Sequence, residues 1–152
     1  MPRVYMDHAA TTPLFPEVVE LMTEFLKNHY GNPSSLHSYG LDAKNHLDKA
    51  REQVAALINA EAANITFTSG GTEADNLAIL GMARKKGKGH LITSAVEHHA
   101  VLDTFKYLSK QGFDLTILPV DEYGMVSADD LKNALRDDTI LVSIMHANNE
   151  VG

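Results

Sequence analysis

The sequence has no cysteine and no tryptophan among its 152 residues. Without cysteine the chain cannot form disulfides, thiolate metal sites or a cysteine nucleophile of its own. No apolar run approaches the roughly 18 residues of a membrane-spanning helix. The first residues, MPRVYMDHAATTP, lack the apolar core of a secretory signal. These absences predict a cytoplasmic protein that does not insert into a membrane.

Positive charge is also scarce. Lys and Arg number 13 against 20 Asp and Glu, which gives a net charge of −7. An acidic chain is poorly suited to nucleic acid or an anionic membrane as its main partner. The apolar content of 44 % and the length are sufficient for a domain with a hydrophobic core.

From residue 65 onward, segments typical of strands and helices alternate along the chain. Before them, a short strand is predicted near residues 3–6, a helix from Pro16 to about residue 28, and a longer amphipathic helix carrying apolar residues from Leu41 to Ile58. The alternation indicates an α/β fold with a mainly parallel sheet. The predicted strands are 65–68, 90–94, 115–120 and 140–145, and the predicted helices between them are 72–86, 99–111 and 127–135.

The turn Gly70-Gly71-Thr72 follows the first predicted strand and opens a helix. Ligands of α/β sheets bind beyond the carboxyl ends of strands, and helix N-termini favour phosphate. Glycines let the backbone approach such a ligand closely. A tight turn with Thr72 as a helix cap is the alternative. The motif is neither a Walker loop nor GxGxxG, so ATP and NAD are poorly supported.

Two later strands also end in polar residues. His98 follows strand 90–94 and precedes a helix, while Asn149 follows strand 140–145 in the run HANNEVG. An imidazole there can stack on a flat ring or transfer a proton. Alternatively, His98 caps the helix and the Asn residues form a turn. Convergence of three strand ends on one sheet edge favours a ligand site.

The eight histidines raise the possibility of a metal site. None lies in HExxH, and the adjacent side chains of His98 and His99 diverge on any regular element. We therefore predict no metal site from the sequence.

Five motifs together resemble one family in order and spacing: MDHAATTP, YGNPSSLHSYG, FTSGGTEADNLAI, SAVEHHAVLDT and DDTILVSIMHANNEVG. The chain resembles the N-terminal part of cysteine desulfurases of the NifS/IscS type, which are class V aminotransferase-like enzymes of fold type I that use pyridoxal 5'-phosphate (PLP). The resemblance implies an N-terminal helical segment, residues 1–40. It also implies that residues 41–152 are the first, incomplete part of the large PLP-binding domain.

The resemblance assigns roles to four residues. Gly71 and Thr72 match the pair that binds the PLP phosphate. His98 matches the histidine that stacks on the pyridine ring and takes part in catalysis. Asn149 matches the asparagine beside the ring hydroxyl and the substrate carboxylate. His99 matches no position with an assigned chemistry.

The resemblance also implies the activity: removal of sulfur from L-cysteine to give L-alanine and an enzyme persulfide. That sulfur would go to an acceptor or scaffold protein for iron–sulfur cluster assembly or tRNA thiolation. The family enzyme is a homodimer, and its Schiff-base lysine and persulfide cysteine come later than HANNEVG. We therefore expect this chain to be inactive alone and to need the rest of the enzyme as a continuing or second chain. The alternatives are a noncatalytic partner-binding fragment and a selenocysteine lyase-like PLP enzyme.

Overall fold

The structure, a computed structural model, describes residues 2–151. The chain divides into two compact units, and the boundary lies between Phe67 and Thr68. No helix within residues 2–151 combines the length and the apolar character needed to cross a membrane.

The first unit is helical. Helix α1 spans Pro16–Asn28, with proline in its first turn where the missing amide is not needed. Helix α2 spans Ser38–Leu57, and the His37 Nδ1 atom accepts a hydrogen bond from the Gly40 amide at 3.3 Å. A short 3₁₀ helix follows at Ala62–Asn64. Both long helices were predicted and are confirmed, whereas residues 3–6 form no strand.

The end of the first unit is held to α2 by one arginine. The Nε atom of Arg51 donates a hydrogen bond to the Ile65 carbonyl at 3.3 Å. Its guanidinium carbon lies 5.5 Å from the centroid of the Phe67 ring, within the range of a cation–π contact.

The predicted strand at residues 65–68 is wrong. Ile65 has extended dihedrals, but a strand forms only where a neighbouring strand supplies ladder hydrogen bonds. Residues 65–68 have no such pairing in the described chain.

The second unit confirms the predicted alternation. Its sheet has three parallel strands in the order β2-β1-β3. The predicted bounds lie within two residues of the observed ones, a difference that helix and strand ends commonly show. The elements in chain order are α3 (Gly71–Lys86), β1 (His90–Ser94), α4 (His99–Lys110), β2 (Asp114–Leu118), α5 (Ala128–Ala134) and β3 (Thr139–Ser143).

The core of this unit lies between the sheet and the packed helices α3 and α4. The central strand β1 is buried over all five residues, as expected for a strand with neighbours on both sides. Phe105 on α4 is fully buried. Because α4 packs on β1 and β2, the position of its first turn at the carboxyl end of β1 is fixed by apolar burial. The buried members of the cluster are Ile79, Ala83, Leu91, Val101, Phe105 and Leu108.

The amino end of β1 holds a buried histidine. The His90 ring lies between the hydroxyl oxygens of Thr139, 2.9 Å from Nδ1, and Thr116, 2.8 Å from Nε2. Burial, aided by the charge of Arg136, lowers the pKa of His90 below its ordinary value. Two hydroxyls can satisfy a neutral imidazole, one as donor and one as acceptor. His90 therefore lies at the amino end of the sheet, opposite the carboxyl ends of the strands where the sequence predicts a ligand site.

Candidate functional site

Helix α3 begins without a side-chain cap. Gly70 is its N-cap residue, and no side chain accepts a hydrogen bond from the amides of the first turn. The first intrahelical hydrogen bond runs from the Ala74 amide to the Gly70 carbonyl at 3.1 Å. The amides of Gly71, Thr72 and Glu73 lie before it and are available to an anion. The alternative prediction, Thr72 as the cap, is therefore not what the structure shows.

Both glycines of this turn face open space. A Cβ atom built on Gly70 or on Gly71 meets no atom within 4 Å. The protein itself therefore does not require glycine there for packing, which leaves room for a ligand against the backbone. An uncapped helix start with open space beside it fits a phosphate group.

The acid of the first turn is turned away from those amides. The Oε2 atom of Glu73 accepts hydrogen bonds from the Ser69 amide at 2.6 Å and from the Ser69 hydroxyl at 2.7 Å. The hydroxyl bond, followed by the amide bond, lowers the pKa of the Glu73 carboxyl below its ordinary value. The Glu73 carboxylate thus stabilises the turn before α3 and accepts the hydrogen bond of the Ser69 amide. A phosphate can therefore bind only the amides that follow Gly70.

His98 is the N-cap of α4. Its Nδ1 atom accepts a hydrogen bond from the Ala100 amide at 3.0 Å. In the neutral ring this bond assigns the proton to Nε2. The His98 side chain is otherwise exposed, so the free Nε2 edge and the ring face can meet a ligand. The sequence allowed two roles for His98, as a helix cap and as a ligand-binding group. One side-chain position allows both, because Nδ1 caps the helix while Nε2 stays accessible.

A cavity of about 500 Å³ includes both Thr72 and His98 in its lining. Its walls come from the first turns of α3 and α4, which are joined by polar side chains. The Asn76 Nδ2 atom donates to the Thr72 carbonyl at 2.8 Å, and the Thr104 hydroxyl lies 2.9 Å from Asn76 Oδ1. The network also reaches the Ala100 carbonyl, 2.8 Å from the Thr104 hydroxyl. It thereby sets the relative position of the two helix starts. Nothing in the sequence pattern singled out Asn76 or Thr104.

A third residue that the sequence did not single out is Glu97. The residue is 8 % exposed, and its Oε1 atom accepts hydrogen bonds from the Ser94 hydroxyl at 2.8 Å and from the Met145 amide at 2.7 Å. Glu97 thus ties the carboxyl end of β1 to the chain that leaves β3. An acid placed directly before His98 was the available signal, but its burial depends on the tertiary fold.

Residues 146–151 form a turn beyond β3. Asn148 donates through Nδ2 to the Val96 carbonyl at 3.0 Å, and its Oδ1 atom accepts from the amides of Glu150 and Val151 at 2.8 and 3.1 Å. Asn149 is exposed beside it and does not line the cavity that holds Thr72 and His98. The described residues therefore bring Thr72 and His98 together and leave Asn149 apart, on an adjacent turn.

The chain is similar to known proteins in both sequence and fold. Residues 4–152 match the family described as aminotransferase class-V. The cysteine desulfurase IscS of Dictyoglomus turgidum is 57 % identical over 152 residues, which cover 98 % of this chain and 38 % of that protein. A solved structure of a NifS-like protein has a TM-score of 0.94 at 45 % identity. The matched region covers 99 % of this chain and 42 % of the NifS-like chain. A structure described as SspA in complex with cysteine has a TM-score of 0.90 at 42 % identity, and the match covers 96 % of this chain and 43 % of the SspA chain.

The chain thus spans about two fifths of the length of the proteins that it matches. The identities and the shared fold confirm the resemblance to cysteine desulfurases of the NifS/IscS type that the five motifs indicated. Since the family match runs over nearly the whole sequence, from residue 4 to residue 152, the chain belongs to the aminotransferase class-V family.

Proposed function

We propose that this chain is the part of a PLP-dependent cysteine desulfurase that binds the cofactor phosphate and stacks on its ring. In this proposal residues 1–40 are the N-terminal segment and residues 41–152 the first part of the large PLP-binding domain. The observation that carries it is the cavity shared by Thr72 and His98 at two neighbouring helix starts. When bound, PLP acts as the electron sink for bonds broken at the amino-acid substrate.

Gly71 and Thr72 would hold the phosphate. The uncapped amides at the start of α3 and the partial positive charge of a helix N-terminus favour a dianion. The Thr72 hydroxyl adds a donor at the same point. Glu73 supports this role because its charge is engaged by Ser69 rather than directed at the amides.

His98 would pack its ring on the cofactor and act as the catalytic histidine of this segment. The Ala100 amide holds Nδ1 at 3.0 Å, so the ring cannot rotate freely and its proton resides on Nε2. That N–H can donate a hydrogen bond to a substrate, and the ring can take up a proton when Nδ1 releases the Ala100 amide. Asn149 would contribute its amide to the ring hydroxyl and to the substrate carboxylate, and its exposed position leaves the side chain available.

The remaining parts of the activity lie outside these residues. The chain has no cysteine, so the enzyme persulfide must form on another segment or chain, which would also bring the Schiff-base lysine. We propose a cytoplasmic homodimer that passes sulfur from L-cysteine to a scaffold protein for iron–sulfur cluster assembly or tRNA thiolation.

Cofactor binding can be tested without the lysine by using pyridoxine 5'-phosphate, which has the ring and phosphate but no aldehyde. We expect the full chain to bind it in equilibrium dialysis, and Gly71→Ala to weaken binding, because the new Cβ enters the open space beside the amides. Gly81→Ala is the matched control: it also meets no atom within 4 Å and lies in the same helix. Equal binding by both variants, or no binding by the unmodified chain, would contradict the phosphate role.

The activity is tested by adding the lysine- and cysteine-bearing remainder of a NifS-like enzyme and measuring sulfide released from L-cysteine. His98→Asn retains a good helix cap and removes the ring, so the assembled enzyme should fold but lose activity. A stable complex with neither cofactor nor turnover would favour a partner-binding fragment. A higher rate on selenocysteine than on cysteine would favour a selenocysteine lyase.

A further inference from the structure

A cluster of metal-binding side chains lies in the first unit, on elements that the proposed function does not use. His29 is the C-cap residue of α1, and Asp42 and His46 lie one turn apart on α2. The His29 Nδ1 atom is 2.6 Å from Asp42 Oδ2, and the His46 Nε2 atom is 3.7 Å from Asp42 Oδ1. One donor atom from each of the three residues lies within 4.8 Å of the other two.

We propose that His29, Asp42 and His46 bind a divalent zinc ion. Zinc–nitrogen and zinc–oxygen bonds of about 2.0–2.1 Å place tetrahedral ligand atoms about 3.3 Å apart. Since the three donor atoms lie within 4.8 Å of one another, no separation exceeds the tetrahedral value by more than about 1.5 Å, which side-chain rotation can supply. His46 has the freedom to make this movement, because its side chain is 37 % exposed.

The surroundings of His29 suit a ligand histidine. If Nδ1 faces the metal, the opposite nitrogen Nε2 faces the carboxylate of Glu24, whose Oε1 atom is 3.8 Å away. Metal-bound histidines usually direct their second nitrogen at such a carboxylate, which fixes the tautomer and the ring orientation.

An aromatic ring restrains both imidazoles. The Phe25 ring centroid is 4.9 Å from that of His29 and 4.8 Å from that of His46. The two histidines also line a groove of about 450 Å³ whose other walls are apolar. This packing reduces the entropy lost when a metal binds, and it leaves the exposed side of His46 open for the movement toward the zinc ion. The apolar lining residues are Leu21, Met22, Phe25, Ala43, Leu47 and Ala50.

The donor set selects the class of metal. Two imidazole nitrogens and one carboxylate oxygen suit zinc and similar transition metals, whereas Mg²⁺ and Ca²⁺ prefer oxygen alone. Three protein ligands leave one tetrahedral position for water. The sequence predicted no metal site because the three residues form no local motif, and an Asp–His pair at four-residue spacing is common. His99 and Asp103 have the same four-residue spacing in the opposite order, and 3.5 Å separates His99 Nδ1 from Asp103 Oδ2.

That second pair provides the control. The full chain, stripped with a chelator and dialysed into a buffer without phosphate, is titrated with ZnCl₂ against a chromophoric chelator. We expect one equivalent to bind. His46→Ala and Asp42→Asn should each weaken binding at least about tenfold, while His99→Ala should leave it unchanged. Asp42→Asn keeps a hydrogen-bond acceptor for His29, so it separates ligand loss from a folding defect, and circular dichroism checks the fold of each variant.

Cobalt provides a second readout. Co²⁺ at a four-coordinate site gives visible absorption bands far stronger than those of the hydrated ion, and these bands should be absent from His46→Ala. The proposal is overturned if zinc binds equally well to His46→Ala, if His99→Ala weakens it as much, or if the unmodified chain binds none. It does not depend on the proposed function, since pyridoxine phosphate binding is measured without metal.

Discussion

Replacing Glu97 tests whether the link between the ends of β1 and β3 organises the candidate site. Glu97 is 8 % exposed, and both hydrogen bonds to its carboxylate end on one atom, Oε1. Glu97→Ala removes that acceptor and leaves the Ser94 hydroxyl and the Met145 amide without it. A buried polar group left unpaired costs about 1–3 kcal/mol. Since two groups lose their acceptor, we expect Glu97→Ala to lower the free energy of unfolding by about 2–6 kcal/mol.

The substitution Glu97→Gln removes the negative charge but keeps the size of the side chain and a hydrogen-bond acceptor. The glutamine carbonyl oxygen has two lone pairs and can accept both hydrogen bonds. Because bonds to a charged group contribute about 1 kcal/mol more than neutral ones, we expect a loss of about 1–2 kcal/mol. The exposed acid Glu122 serves as the control, and Glu122→Ala should change the free energy of unfolding by less than about 0.5 kcal/mol.

Urea unfolding followed by circular dichroism gives the free energies, and amide hydrogen exchange gives the local readout. The Met145 amide should exchange faster in Glu97→Ala than in Glu97→Gln. If Glu97→Ala and Glu97→Gln lower the free energy of unfolding equally, the two hydrogen bonds to Oε1 are not what stabilises this region. Unchanged exchange at Met145 in the alanine variant would refute the link between the two strand ends.

Two further predictions concern the opposite end of the sheet. Burial lowers the pKa of His90 below 6.5, so its contribution to stability is complete above the unfolded-state pKa and is lost as pH falls through the folded-state value. His90→Asn should reduce the fall in urea midpoint between about pH 7.5 and pH 5, and an unchanged slope would contradict this. Gly89→Ala should destabilise the fold by about 1–3 kcal/mol in the same assay, because φ is +142° and the new Cβ would lie 2.7 Å from Ile140 Cγ2. Gly112→Ala, which has a positive φ but no neighbour within 4 Å, should show the smaller cost of backbone strain alone.

The sequence predicted best where a feature depends on neighbours along the chain. Strand β1 was placed at its observed residues, because a short apolar run between GKG and the turn after Ser94 leaves little choice. The strand predicted at residues 65–68 was wrong for the opposite reason. Its residues suit an extended backbone, but a strand also requires a partner, and pairing is not encoded in the segment itself.

At the site, the sequence by itself determined the chemical groups: the glycine turn at Gly70-Gly71, the helix start at Thr72 and the histidine before α4. The tertiary structure decided their arrangement. Packing of α3 on α4 brings Thr72 and His98 to one cavity, and burial makes Glu97 an internal acceptor. The same holds for His29, Asp42 and His46, which no motif connects. Local propensity is a property of adjacent residues, whereas burial and proximity arise only when distant segments exclude water together.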